Sequence, residues 1–264
     1  MTAVFAPAGA YRAAVAELPF SARLADAPSG AIVVVPGGPG WVDGASAAVS
    51  AGAVAVLVAG VGFESSADLR RLAEAGIPII IERPLLRTDA AANAVAARTA
   101  ASSEMSPRLI VAEAAASRAR LAAAMQDAVG WLRILAGETP TLVAADEGLA
   151  LLEASPGIPA TLTSVATGRP GTGRVRVQAL GEVITDVEVE GRATCVATAS
   201  AAGRLIAPQR FESSERLALR RALEAVAGHT LPADLDDLLA DAALVERLLL
   251  AGDEGDSGRR HRHR

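Results

Sequence analysis

The chain has 264 residues and a net charge of −5, and 51% of its residues are hydrophobic. An acidic chain lacks the basic footprint of a nucleic-acid-binding protein, and no apolar run is long enough to span a membrane. The basic residues 259–264 are a short exception, which we interpret as a solvated end. We therefore expect no nucleic-acid or membrane partner. The single cysteine and the lack of a signal-like segment predict a cytoplasmic protein.

The composition also excludes several chemistries. No lysine occurs anywhere in the chain, so a Schiff-base, P-loop or acid–base lysine is impossible. The three histidines are His229, His261 and His263, and no Ser-His-Asp order can be assembled from them. The carboxylates show no metal-ligand spacing, and we predict no metal site.

Apolar strands alternate with helices over the first hundred residues. Strands are predicted at residues 2–6, 31–35, 53–59 and 77–81, and helices at residues 11–18, 41–51 and 66–75. The strands show no polar alternation, which is typical of a parallel sheet covered on both faces. We predict a small doubly wound, Rossmann-like α/β domain over residues 1–105.

The second half of the chain has a different pattern of apolar and polar residues. After helices at residues 88–101 and 117–135, short runs with partial polar alternation extend from residue 140 to residue 211. Such runs predict an open, mainly antiparallel sheet with one solvated face. Two amphipathic helices follow, at residues 214–227 and 235–250. We predict an α+β domain over residues 106–252 and a disordered tail over residues 253–264.

One segment carries a sharp motif. The strand at residues 77–81 is followed by Glu82-Arg83-Pro84. It resembles the Glu-Lys-Pro signature that closes the nucleotide-binding half of the Gfo/Idh/MocA oxidoreductases. The order of the elements and the closing helix and turn at residues 216–232 are also similar to that family. The resemblance implies hydride transfer between a sugar-like alcohol and NAD(P).

The resemblance fails at the residue that performs the chemistry. In the family, the lysine of the signature helps hydride transfer, and its place is taken here by Arg83. Arginine stays protonated at ordinary pH, so it can orient or bind an anion but cannot act as a general acid or base. The alternative is that Glu82 and Arg83 form a charged pair at the end of the strand.

The family's second catalytic element is a histidine on a helix. Alignment on Leu135-Ala136-Gly137 places Asp127 in the position of that histidine. Asp127 could act as a base in its place. The alternative is a solvated or capping carboxylate, which is the commoner role of an acid on a helix.

The nucleotide-binding fingerprint is also incomplete. A dinucleotide turn needs three glycines directly after a strand, and residues 5–11 contain one. The turn after Val35 offers Gly38 and Gly40 before a helix, with Asp43 as an unfavourable charge and Glu64 roughly where a ribose-binding acid would lie. A plain strand-to-helix turn is the alternative. The candidate residues are, for catalysis, Arg83 and Asp127, and for cofactor binding, Gly38, Gly40, Glu64 and Glu82.

Three hypotheses for the function follow. The first is a degenerate Gfo/Idh/MocA-like protein without dehydrogenase activity, which binds a small molecule or a partner. The resemblance implies that such a chain pairs with itself or with a related chain through its C-terminal sheet. The second is an active NAD(P)-dependent oxidoreductase with a divergent site, so the cofactor is either absent or NAD(P). The third is an unrelated α/β protein that binds a small molecule.

Overall fold

The computed structural model describes residues 1–7, 9–101, 106–168, 171, 173–209 and 211–260, and for residues 252–260 it describes the backbone alone. The elements in chain order are β1 (Thr2–Phe5), α1 (Gly9–Ala16), β2 (Ala22–Leu24), β3 (Ile32–Pro36), α2 (Trp41–Ser50), β4 (Ala55–Ala59), α3 (Ser66–Arg70), β5 (Ile79–Ile81), α4 (Thr88–Ala101), β6 (Leu109–Ser117), α5 (Leu121–Ala136), β7 (Thr141–Asp146), β8 (Leu149–Ser155), β9 (Ile158–Thr167), β10 (Arg174–Leu180), β11 (Ile184–Glu190), β12 (Ala193–Ser200), β13 (Gly203–Ile206), α6 (Ser214–Gly228) and α7 (Asp234–Arg260).

The first of two compact units comprises Met1–Arg83 and Arg210–Leu239. Its five strands form a parallel sheet in the order β2-β1-β3-β4-β5. Helices α1 and α6 pack together on one face, and α2 packs on β3 and β4. Strands β3, β4 and β5 are apolar throughout because both of their faces are buried. The predicted Rossmann-like parallel sheet is confirmed.

The strand order fixes where a ligand would bind in such a sheet. Strand β1 leads through α1 to β2 on one side, and β3 leads through α2 to β4 on the other side. The chain therefore leaves β1 and β3 in opposite directions, and a crevice opens at the carboxyl ends of these two neighbours. One turn that borders this crevice follows β1, and the other is residues 37–40 after β3.

The second unit comprises Pro84–Gln209 and Ala240–Arg264. Its eight strands have the order β13-β12-β11-β10-β6-β9-β8-β7, and every neighbouring pair is antiparallel except β6 and β9. Helix α5 packs on β6, β9 and β10, and α4 packs on β12. The strands alternate between buried and exposed residues, so the other face of the sheet is solvated. The predicted open, mainly antiparallel sheet is confirmed.

The structure differs from the prediction in several elements. Strands β2 and β8 were not predicted, because β2 has only three residues and β8 is rich in leucine and alanine. Helix α4 packs on β12, so the first unit ends at Arg83 rather than at residue 105. Helix α6 packs on β4 and β5 and belongs to the first unit, although the sequence order assigned it to the C-terminal domain.

The end of the chain also differs from its prediction. Helix α7 continues to Arg260, whereas the predicted helix ended at residue 250 and a disordered tail followed. Residues 261–264 of that predicted tail lie outside the described residues. None of the helices in the described part of the chain is long and apolar enough to cross a membrane.

The turns after β3 and β4 meet through their backbones at Gly37. The Gly37 N–H donates to the Ala59 carbonyl at 2.8 Å, and the Gly62 N–H donates to the Gly37 carbonyl at 2.7 Å. A Cβ on Gly37 would lie 2.6 Å from the Val61 Cα and 2.8 Å from the Ala59 carbonyl oxygen. A Cβ on Gly38 would meet no atom within 4 Å. Gly37 is therefore the glycine that packing at this turn requires.

We predict that Gly37→Ala destabilises the protein by about 1–3 kcal/mol, because two backbone segments must separate to admit the methyl group. The matched control Gly38→Ala should change the free energy of unfolding by less than about 0.5 kcal/mol. Urea unfolding followed by circular dichroism measures both variants. Equal stability of the two variants would contradict the packing described here.

Candidate functional site

The turn after β1 is where a dinucleotide-binding fingerprint would lie. Strand β1 ends at Phe5 and α1 begins at Gly9, so the three fingerprint positions fall on Ala6, Ala8 and Tyr11. Ala8 lies outside the described residues. The first two glycines shape the turn and let the pyrophosphate approach the backbone, and the third lets the helix pack on the strand. None of these three positions holds a glycine.

Tyr11 fills the space at the third fingerprint position. Its side chain is 2% exposed, and its hydroxyl donates a hydrogen bond to the Glu82 carboxylate at 2.5 Å. Burial raises the pKa of Tyr11 well above its ordinary value, and the charge of Glu82 and this hydrogen bond raise it further. The structure thus brings the predicted cofactor residue Glu82 against a side chain of its own unit. Sequence analysis had considered Tyr11 only as a helix residue.

The turn after β3 contains the other predicted glycines. Gly40 has φ 73° and precedes the first residue of α2, and its N–H donates to the Glu64 carboxylate at 2.6 Å. A helix N-terminus attracts anions, and here a carboxylate of the chain already holds that position. Glu64 follows β4, the strand that comes after this turn, and its role in binding a ribose remains a prediction.

A second carboxylate lies in the first turn of α2. Asp43 forms an ion pair with Arg71 at 2.8 Å, and both side chains are exposed. A phosphate at this helix start would therefore meet the charges of Glu64 and Asp43. The described residues do not fit a dinucleotide at either turn, and we derive no hydride-transfer step from them.

Sequence analysis missed one residue at a characteristic position. Asp26 lies just beyond β2, which runs parallel to β1, and its side chain is exposed. An acid about 20 residues after the first turn, at the end of the second strand, binds the ribose in dinucleotide-binding folds. The spacing was available in the sequence. The residue was missed because the three-residue strand before it was not recognised.

The end of β5 is held by helix residues of the first unit. The Ile81 N–H donates to Asp234 at 2.9 Å, and Arg221 donates to both oxygens of Asp234 at 2.6 and 2.9 Å. Arg83, the residue in place of the family's lysine, is 8% exposed and has an interaction of its own.

The predicted residue Asp127 lies on α5 in the second unit and is 3% exposed. Its carboxylate accepts a hydrogen bond from the Leu85 N–H at 2.8 Å. Four residues further along the helix, the Trp131 indole N–H donates to the Leu85 carbonyl at 2.9 Å. Helix α5 therefore satisfies both backbone groups of a residue directly after the Glu-Arg-Pro segment. The hydrogen bond gives Asp127 a structural role, and its catalytic role remains a prediction.

Metal ligands are not grouped in the part of the chain that the structure describes. Within that part, no three or more His, Cys, Asp or Glu side chains are placed to hold one metal ion.

No protein-family model matches the sequence, and no curated protein matches it. Solved structures are similar to this one. UDP-N-acetylglucosamine 3-dehydrogenase GnnA from Acidithiobacillus ferrooxidans is 16% identical, with a TM-score of 0.60 over 96% of this chain and 98% of that chain. KijD10, a 3-ketoreductase from Actinomadura kijaniata in complex with NADP, is 14% identical, with a TM-score of 0.62 over 84% and 77%. Aldose-aldose oxidoreductase from Caulobacter crescentus is 16% identical, with a TM-score of 0.60 over 96% and 97%.

These similarities extend over most of each chain and include both units. The protein has the fold of the Gfo/Idh/MocA-type oxidoreductases, which confirms the resemblance drawn from the sequence. At such identities the likeness establishes the fold and leaves the activity to the residues of the site.

We predict that Asp127→Ala lowers the free energy of unfolding by about 1–3 kcal/mol, because the buried Leu85 N–H loses its acceptor. Asp127→Asn retains an acceptor oxygen and should recover a large part of that loss. Urea unfolding of the two variants measures the difference. Wild-type stability in Asp127→Ala would contradict the structural role of this side chain.

Proposed function

We propose that this protein is a degenerate Gfo/Idh/MocA-like homologue that does not catalyse NAD(P)-dependent hydride transfer and acts as a binding scaffold. The observation that carries this proposal is the Tyr11–Glu82 hydrogen bond. It fills the turn after β1 with a buried tyrosine at a position where a dinucleotide-binding turn has a glycine.

The groups for proton transfer support the same conclusion. Transfer of a hydride from an alcohol leaves a hydroxyl proton that a base must accept. Arg83 stays protonated and cannot accept it. Asp127 is committed to the backbone of Leu85, and the chain has no lysine to replace it.

A scaffold of this kind binds other molecules through the surfaces that the fold retains. We propose an oligomer, formed with the same or a related chain through the solvated face of the eight-stranded sheet. The exposed aliphatic residues on that part of the molecule support such a contact. They are Val143, Leu149, Leu151, Val165 and Ile184. A small-molecule ligand in addition to this partner is compatible with the proposal.

The second candidate is an active NAD(P)-dependent oxidoreductase with a divergent site. Two observations favour it. Asp26 occupies the ribose-binding position beyond β2, and the indole N–H of Trp41 at the start of α2 is buried with no hydrogen-bond partner among the described residues. The 3-ketoreductase with a similar fold was solved in complex with NADP.

Titration with NADH and NADPH separates the two candidates. Binding is followed by nucleotide emission and by the fluorescence of Trp41 and Trp131, the two tryptophans of the chain. We predict no saturable binding up to millimolar nucleotide. As a control, circular dichroism must show that the wild-type protein is folded under the same conditions.

Micromolar binding would overturn the proposal, and two variants would then locate the nucleotide. Loss of binding in Asp26→Ala would place the ribose beyond β2, in the ordinary dinucleotide mode. Loss in Gly40→Asp, with Asp26→Ala unaffected, would place the phosphates at the start of α2.

A further inference from the structure

The solvated face of the eight-stranded sheet has a charged centre. The strand register places Cys195, Glu188, Arg176, Glu113 and Thr163 side by side in one row across β12, β11, β10, β6 and β9. The residues that alternate with this row along each strand point to the other face of the sheet and are buried. The three middle strands, β6, β10 and β11, therefore carry their charged residues on this face, which we call the open face.

Carboxylates outnumber arginines at the centre of the open face. The three middle strands contribute two arginines and four carboxylates to it. These residues are Arg174, Arg176, Glu113, Asp186, Glu188 and Glu190. Further out, Asp146 on β7, Glu153 on β8 and Arg204 on β13 lie on the outer strands, away from this centre. Two carboxylates are therefore in excess at the centre.

Both arginines already have partners within the open face. Arg174 pairs with Glu188 at 2.7 Å, and Arg176 pairs with Asp186 at 3.3 Å. The pKa of Arg176 is raised, first by its hydrogen bond with Asp186 and then by the charge of that residue. The nearby Arg192, in the turn after β11, also has an interaction within the chain. The register places Glu113 opposite Arg176 and Glu190 opposite Arg174, so each arginine is shared by two carboxylates and the carboxylates exceed the arginines by two.

Pairing of this face with a second copy would be unfavourable. In a two-fold dimer the same patch meets itself, so four carboxylates would be buried in excess of arginines. Each charge buried without a partner costs several kcal/mol. Stable homodimer interfaces have an apolar centre and a polar rim. The open face has the reverse arrangement, because its exposed aliphatic residues Leu149, Leu151, Val165 and Ile184 lie on the outer strands or at the strand ends.

We infer that the open face binds a different protein, one that presents a flat surface with at least two more cations than carboxylates. This inference rests on the proposed function, because it chooses between the two kinds of oligomer that the scaffold could form. A complementary basic face would pair Glu113 and Glu190, and its own aliphatic residues would cover those on the outer strands. A related chain with a more basic sheet has both properties.

A charge-inverted copy of this chain is the probe. The variant Glu113→Arg/Glu190→Arg replaces no residue of the two observed ion pairs and changes the excess from two carboxylates to two arginines. We expect the wild-type protein to be monomeric, the variant to be monomeric, and an equimolar mixture to form a heterodimer. Sedimentation velocity measures the three samples, and added salt should weaken the heterodimer.

The single thiol reports whether the open face is the surface involved. Cys195 is exposed, is the only cysteine and lies in the same row as Glu113. Its maleimide reaction should slow several-fold in the mixture. The matched control Glu74→Arg/Glu138→Arg makes the same charge change at exposed residues outside this sheet, and it should not associate with the wild-type protein.

Two results would overturn the inference. One is a wild-type homodimer that Glu113→Arg/Glu190→Arg dissociates. The other is a mixture that stays monomeric although both proteins are folded by circular dichroism. If the double variant is unfolded, Glu113→Gln/Glu190→Gln replaces it. This variant removes both excess carboxylates, so it should pair with a second copy of itself, and a folded variant that stays monomeric would overturn the inference. A negative result here leaves the nucleotide-binding experiment unaffected, so the two proposals fail separately.

Discussion

The hydrogen bond between Tyr11 and Glu82 is the constraint on which the candidate site depends. It joins the start of α1 to the chain directly after β5, across the carboxyl edge of the parallel sheet. Doubly wound folds bind their ligands at that edge, where the strand order reverses. Here the tyrosine is buried, and the Glu82 carboxylate accepts the hydrogen bond that its hydroxyl donates. At this edge the start of α1 and the chain after β5 are joined by two side chains of the protein itself.

The same pattern recurs along the signature segment. Asp234 accepts the N–H of Ile81 in the first unit, and Asp127 accepts the N–H of Leu85 in the second unit. Glu64 accepts the N–H of Gly40 at the start of α2. In each case a carboxylate accepts a hydrogen bond from a backbone N–H. The Leu85 N–H is buried and needs a partner, so Asp127 contributes to stability.

The sequence predicted the architecture because the hydrophobic pattern of each strand and helix determines it. The continuous apolar strands up to Ile81 and the alternation in strands such as β10 identified both sheets. The site was less predictable, because its contacts join residues far apart in the chain. The Tyr11–Glu82 and Ile81–Asp234 contacts have no local signal. Asp26 could have been found from its spacing, but its three-residue strand was too short to recognise. Arg83 and Asp127 were located by resemblance, and their surroundings required the structure.

The most direct test of the account is a spectrophotometric pH titration of the protein's one tyrosine. Burial raises the pKa of Tyr11 in the folded state, whereas an unfolded tyrosine titrates near pH 10. The folded state therefore keeps the tyrosine proton to a higher pH than the unfolded state. The contribution of Tyr11 to the free energy of unfolding is fully present below about pH 10 and is lost as the pH rises above that value. We predict no phenolate absorbance at about pH 11 while circular dichroism shows a folded chain, and ordinary titration in urea. A phenolate that forms near pH 10 in the folded protein would contradict the closed carboxyl edge.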